Sequence, residues 1–233
     1  MGNGVGVTIV MPFYQERATL RAALERLLKT ELTHSFEVVL VDDGSTDGGA
    51  ETISDLLDDD RVRLLTHDRN RGKGAAIRSG VEAARGDLLS ILDADLEYNP
   101  ANFQRLLDAV RDQGAEVAYG VRTFGSQTAY SFWFVVGNRV VSLWTSFLFN
   151  VWVRDIETCL KMMPVDVWRS LGLTSRGFGV EAETTAKLLK RKHRIFEVPI
   201  EYRARTRAEG KKLKWTDGAF AVWLIFRIRV FGR

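Results

Sequence analysis

Five short apolar runs separated by helical patterns constrain the first half of this chain more than any other feature. The runs are VTIVMP (7–12), FEVVLVDD (36–43), VRLLTH (62–67), LLSILDA (88–94) and AEVAYG (115–120); helical patterns fill 16–30, 47–57, 73–84 and 100–113. Within the runs apolar side chains occupy consecutive positions, so both faces of each strand need cover. That predicts a mainly parallel sheet flanked by helices and closed by right-handed crossovers. Ligands in such sheets collect at the carboxyl ends of the strands. Glu16 follows the first run, Asp42 and Asp43 end the second, and Asp93 and Asp95 end the fourth. Acidic groups at three such ends predict one shared site.

With 233 residues, 45% of them hydrophobic, the chain can bury a single core, and one domain over 1–233 is expected. A net charge of +3 is too small to imply nucleic-acid binding, and no nucleic-acid module is recognisable. The basic residues crowd YRARTRAEGKKLKW, which precedes an apolar, aromatic segment. Cys159 is the single cysteine, which excludes an intrachain disulfide and suits a reducing, cytoplasmic compartment. The N-terminal MGNGVGVTIVMPFY lacks the pattern of a signal peptide, and Gly6 stands where a myristoylation signal needs Ser or Thr, so neither export nor acylation is expected.

After residue 121 the strand and helix rhythm breaks. Residues 131–153 are apolar and aromatic, but Asn138 and Arg139 interrupt them, which predicts an interfacial or core helix pair rather than a membrane span. The segment GAFAVWLIFRIRVF (218–231) is too short to span a bilayer. It fits either a helix lying on a membrane surface or a terminal helix closing the core.

Asp93, Asp95 and Glu97 offer the oxygen ligands that a hard divalent cation, Mg²⁺ or Mn²⁺, takes beside substrate phosphates. In VDDGSTDGG, the Asp43 carboxylate can accept hydrogen bonds from a base or ribose, while Ser45 and Asp47 shape a turn. RNRGKGAAIRSG lacks the ending of a P-loop. Gly72 and Gly74 with Lys73 between them can help hold a nucleotide or can serve close packing alone. His67 has no partner at metal-ligand spacing, and neither a zinc site nor a Ser-His-Asp system is indicated.

VMPFYQE, VVLVDDGSTD, RGKGAAIRSG, LDADLEYNP, YGVR and EVPIEYRARTRAEGKK together resemble, in order, the motifs of family 2 glycosyltransferases, most closely the polyprenyl-phosphate (dolichyl-phosphate-type) hexosyl synthases. The resemblance implies a Rossmann-like GT-A fold with C-terminal membrane-surface helices. Residues 1–122 would form the nucleotide-sugar half and 123–233 the acceptor and membrane-facing half. It implies that Pro12, Tyr14, Glu16 and Asp43 surround the nucleotide and that Asp93 and Asp95 hold metal and diphosphate. Glu97 stands where the synthases usually have Gln. Arg122, Arg139 and Arg205 would meet the acceptor phosphate or the donor diphosphate, with Lys211 and Lys212 nearby; EGKK departs from the family's Gly-x-Ser-Lys. The implied activity is inverting transfer of a hexose from GDP-mannose first, or UDP-glucose second, to polyprenyl phosphate at the cytoplasmic face of a membrane. A family 2 enzyme acting on a sugar hydroxyl would instead need a base, for which Asp155, Glu181 and Glu183 are the candidates. A noncatalytic nucleotide-sugar sensor is the alternative from another class.

Overall fold

The computed structural model describes residues 6–122, 132–177, 179–203 and 215–232. The five predicted runs form strands β1 (Val7–Phe13), β2 (Phe36–Asp42), β3 (Val62–Thr66), β4 (Leu88–Ile91) and β5 (Val117–Arg122). Two further strands, β6 (Lys161–Pro164) and β7 (Ile195–Ile200), complete a seven-stranded sheet in the order β3-β2-β1-β4-β6-β5-β7. β1 pairs in parallel with β2 and β4, β2 with β3, and β5 with β7. β6 is antiparallel to both β4 and β5 and separates them. The mainly parallel sheet is therefore as expected, with one short antiparallel insertion.

Helices α1 (Leu20–Leu28), α2 (Lys73–Ala83) and α3 (Asn102–Arg111) follow β1, β3 and β4. In α1 the buried Leu20, Ala23, Leu24 and Leu27 recur at helical spacing, the stripe that a helix packed on a sheet requires. The helical pattern at 47–57 becomes a 3₁₀ segment, Ala50–Asp58. Ile53 is its one buried residue, which leaves little apolar face to hold a full α-helix against the sheet.

Residues 131–153 do not form a helix pair. They build one 18-residue helix, α4 (Phe132–Phe149), that runs through Asn138 and Arg139 without a break. Its buried residues are Asn138, Val141, Ser142 and Thr145, while Phe132, Trp133, Val140, Leu143 and Phe147 are exposed. The helix thus turns small and polar groups inward and bulky apolar ones outward, the reverse of a soluble amphipathic helix. Among the described residues it alone is long and apolar enough to cross a membrane by length and composition. α5 (Val165–Ser170) and α6 (Gly179–Lys190) come next, and α7 (Trp215–Phe231) packs against α6 and α4. In α7, Ala221, Leu224, Ile225 and Ile228 are buried in a second core cluster, whereas Phe220, Trp223, Phe226, Val230 and Phe231 are exposed. The core-closing reading of 218–231 holds for the buried face, while the opposite face leaves large apolar side chains exposed.

Candidate active site

The strand register brings the predicted carboxyl ends together. Phe13 at the end of β1 pairs with Asp42 at the end of β2, and the chain passes out of β4 as Leu92 N donates to Val10 O at 2.9 Å. Because β2 and β4 lie on opposite sides of β1, the crevice between them is the switch point at which open α/β sheets bind ligands. A cleft of about 320 Å³ opens there, lined by Pro12, Tyr14, Glu16, Asp43, Lys73, Asp93, Asp95, Glu97 and Arg122 among others.

At the β2 end, Asp43 is almost fully buried. One carboxylate oxygen accepts from His67 Nδ1 at 2.7 Å and Arg71 N at 2.9 Å, the other from Gly72 N at 2.7 Å. His67 in turn meets Ser79 Oγ through Nε2 at 2.9 Å. Asp43 therefore fastens the RNRG loop to the sheet as well as facing the cleft, and His67 orients it. That role of His67 was not visible in sequence spacing, because its partners lie 24 and 12 residues away. Ser45 and Asp47 shape the turn as expected. Gln15 N donates to Ser45 Oγ at 3.1 Å and Arg17 N to Asp47 Oδ2 at 2.8 Å, binding the loop after β1 to the loop after β2.

The two glycines of the RGKG loop are closely packed against backbone. Gly72 lies at φ +93°, and a Cβ there would sit 2.3 Å from Arg176 O; one on Gly74 would sit 2.1 Å from Ser175 O. Gly74 N already donates to Arg176 O at 2.7 Å, so this helix N-terminus is covered by backbone. Lys73 carries the loop's charge into the cleft. Its Nζ lies 2.8 Å from Asp93 Oδ2 and 3.1 Å from Glu181 Oε1. Burial alone would lower its pKa, but the two carboxylates outweigh burial and hold it well above its ordinary value.

The DADLE stretch lies on a turn after β4. Glu97 N donates to Asp95 Oδ1 at 3.0 Å, and Leu96 sits at φ +64°, left-handed backbone that a leucine rarely adopts. Asp93, Asp95 and Glu97 all line the cleft. Among the described residues, however, no group of three His, Cys, Asp or Glu side chains converges as a ready metal cage. Glu97 Oε2 accepts from Tyr202 OH at 2.6 Å.

Arg122, at the end of β5, is buried against Asp155, which is fully enclosed. Arg122 Nε donates to Asp155 Oδ2 at 2.6 Å and Nη2 to Oδ1 at 2.7 Å. Burial would raise the Asp155 carboxyl, but the guanidinium outweighs it and keeps the group below its ordinary value. Arg139 is exposed and is not among the residues lining the cleft. Arg205, Lys211 and Lys212 fall outside the described residues.

Two of the three base candidates are committed elsewhere. Asp155 belongs to Arg122, and Glu183 accepts from Thr174 N, Thr174 Oγ1 and Ser175 N while pairing with Lys187. Glu181 lines the cleft between Lys73 and the fully buried Lys161, 2.9 Å from its Nζ. Burial would raise Glu181, but the two lysines prevail and lower it. Sequence reasoning missed Glu157, which also lines the cleft and whose carboxyl burial raises above the usual range.

Among the described residues the cleft lining carries eight carboxylates against Lys73 and Arg122. Hard carboxylate oxygens at Asp93 and Asp95, with Lys73 already drawn to Asp93, fit a divalent ion that takes one or two protein carboxylates and completes its shell with phosphate.

A switch-point cleft of this chemistry, on this sheet order, defines a GT-A-type nucleotide-diphospho-sugar transferase fold. Solved neighbours agree. Glucosyl-3-phosphoglycerate synthase from Mycobacterium tuberculosis, in complex with Mn²⁺ and UDP-glucose, superimposes with a TM-score of 0.73 at 18% identity, covering 97% of this chain and 79% of that one. S. aureus TarS in complex with UDP-GlcNAc gives 0.63 at 14% identity, covering 95% and 65%. The model of glycosyl transferase family 2 matches residues 8–160, and the chain belongs to that family. Curated relatives include the undecaprenyl-phosphate 4-deoxy-4-formamido-L-arabinose transferases of Aeromonas hydrophila, 41% identical over 120 residues, and Pseudomonas aeruginosa, 39% identical over 141. The matches cover 50% and 59% of this chain but 36% and 40% of those relatives, so the chain spans well under half of their length.

Proposed function

We propose that this domain transfers a sugar, with inversion, from a nucleotide sugar to a polyprenyl phosphate held at a membrane surface. The observation that carries the proposal is where the two outward-apolar helices meet the cleft. Phe134 near the start of α4 and Asp217 near the start of α7 both line it, so the surface fit for lipid adjoins the site of chemistry. A polyprenyl tail lying along these helices would bring its phosphate to the Arg122 side of the cleft. The polyprenyl-phosphate acceptor named for the relatives supports the same reading.

A phosphate acceptor also suits the residues available. With a second pKa of about 6 it is largely dianionic at neutral pH and needs no base. Asp155 and Glu183 are consumed by hydrogen bonds, and Glu181 is held anionic between two lysines. In the mechanism, Asp93 and Asp95 would hold Mg²⁺ or Mn²⁺, whose charge would stabilise a departing diphosphate. Lys73, kept cationic at the same point, binds phosphate oxygen. Asp43, fixed by His67 and the RNRG loop, meets the nucleotide with Pro12, Tyr14 and Glu16. Arg122, held in one orientation by Asp155, presents its side chain to the acceptor.

A UDP sugar is the first donor to test, since the two solved neighbours described above are complexes with UDP sugars. GDP-mannose is tested beside it. The experiment incubates the protein, Mn²⁺ or Mg²⁺ and a donor panel with polyprenyl phosphate or the free polyprenol in the same detergent, and reads glycolipid by mass. Product from the phosphate alone is expected. A second reading, transfer to a sugar hydroxyl, rests on Glu157 as a base; efficient glycosylation of the alcohol or of an oligosaccharide would favour it. Nucleotide-sugar binding without transfer would indicate a sensor.

A further inference from the structure

Glu157 stands apart from the other acidic groups of the cleft. Among the described residues it makes no hydrogen bond or ion pair, although it is half-buried and lines the same cavity as Asp93, Asp95 and Glu181. A carboxylate drawn from water without a partner costs stability, a cost that a ligand donating a hydrogen bond to it removes.

The sheet order indicates which part of a ligand that is. Read across the strands, the cleft runs from Tyr14 and Asp43 beyond β1 and β2, through Asp93 beyond β4, to Glu157 ahead of β6 and Arg122 at the end of β5. A nucleotide sugar with its nucleotide at the first end and its diphosphate at Asp93 lays its sugar toward the third. At that end Arg122 is the group suited to an acceptor phosphate, whereas a sugar hydroxyl or amide N–H offers the donor that Glu157 lacks. We propose that Glu157 is a sugar-recognition residue, accepting a hydrogen bond from one hydroxyl or amide N–H of the transferred sugar. This rests on the donor-site reading above.

The test separates the two. Calorimetry with Mn²⁺ measures UDP, UDP-glucose and its 3-, 4- and 6-deoxy forms on wild type, Glu157→Gln and Glu157→Ala, with GDP and the matching GDP-mannose series in parallel. The nucleoside diphosphate should bind all three proteins alike. Loss of a hydrogen bond to a charged group is worth roughly 10- to 100-fold, so the intact sugar should bind Glu157→Ala that much more weakly, and Glu157→Gln by an intermediate factor. One deoxy position should cost wild type a similar factor and leave Glu157→Ala indifferent, the mark of direct coupling. If neither diphosphate binds wild type, the donor-site reading itself falls. If a diphosphate binds but the substitutions weaken it as much as its sugar conjugate, or change neither, the Glu157 proposal falls and the donor site stands. Unchanged sugar affinity with loss of the acidic limb of the kcat profile would overturn it in favour of a general base.

Discussion

Neutralising Asp155 should destabilise the domain severely, because the partner left behind is an arginine with almost no access to water. Arg122 is 6% exposed and Asp155 0%, and three donors of Arg122 (N, Nε and Nη2) converge on the one carboxylate. The guanidinium also lies 5.1 Å from the Tyr202 ring centroid and 5.8 Å from that of Phe134, so it cannot swing into solvent without unpacking both. Removing one partner of such a pair costs about 3–5 kcal/mol, a large part of the roughly 5–15 kcal/mol that a domain possesses. For a chain of this length each kcal/mol moves the midpoint by about 2–4 °C, so Asp155→Asn should lower Tm on the order of 10 °C. Urea unfolding followed by both fluorescence and circular dichroism provides the assay, with coincident transitions required before a free energy is taken. The double variant Arg122→Met with Asp155→Leu should recover most of the loss, since well-packed apolar replacements of a buried pair are often neutral. It should nevertheless fail in transfer, which separates the arginine's contribution to substrate from its contribution to folding. A loss below about 1 kcal/mol for Asp155→Asn, or a double variant no more stable than the single, would refute the reasoning.

Asp95→Asn should leave Tm nearly unchanged but reduce metal-dependent transfer by about 100-fold or more, measured at saturating Mn²⁺; near-normal rates would sink the ligand assignment. Glu97→Gln should retain transfer, because a carboxamide oxygen can still accept from Tyr202 OH, and a complete loss would assign Glu97 a charge-dependent role. Wild type should co-sediment with anionic liposomes at low salt and less so at high salt, and Trp223→Glu with Phe226→Glu should weaken it further; protein that remains wholly in the supernatant at low salt contradicts the membrane reading. The pKa of Glu157 is shifted in the opposite direction to those of Asp155 and Glu181. Its folded-state pKa is raised by burial, so its destabilising effect is absent below the unfolded value of about 4.3 and grows as pH rises through the folded value. Glu157→Gln should therefore match wild type in stability near pH 4 and exceed it at pH 7, and equal midpoints at both pH values would count against the burial. Asp155 and Glu181 have lowered pKa values, so their contributions persist at neutral pH and disappear as pH falls below the usual carboxylate range.

The sheet's parallel half was legible because strand and helix periodicities are local, and five mainly apolar runs have few ways to be buried. The acidic ends of β1, β2 and β4 were legible for the same reason, since a parallel register aligns carboxyl ends whichever strand lies beside which. β6 escaped notice because a four-residue strand, Lys161–Pro164, carries too little periodicity to announce itself, and its antiparallel place between β4 and β5 depends on the whole sheet. The apolar character of 131–153 was plain in sequence, but its orientation was not. Only packing against α6 and α7 decides that Asn138, Ser142 and Thr145 turn inward and Phe132, Trp133 and Phe147 outward. The charges show the same division. Residue types at Asp43, Lys73, Asp93 and Arg122 indicate a site for anions and a cation, yet what each one does follows from its partner. Arg122 meets Asp155 across 33 residues, Asp43 meets His67 across 24, and Lys73 meets Asp93 across 20. Glu157 is defined by having no such partner among the described residues, a property that exists only once every other chain segment has taken its place.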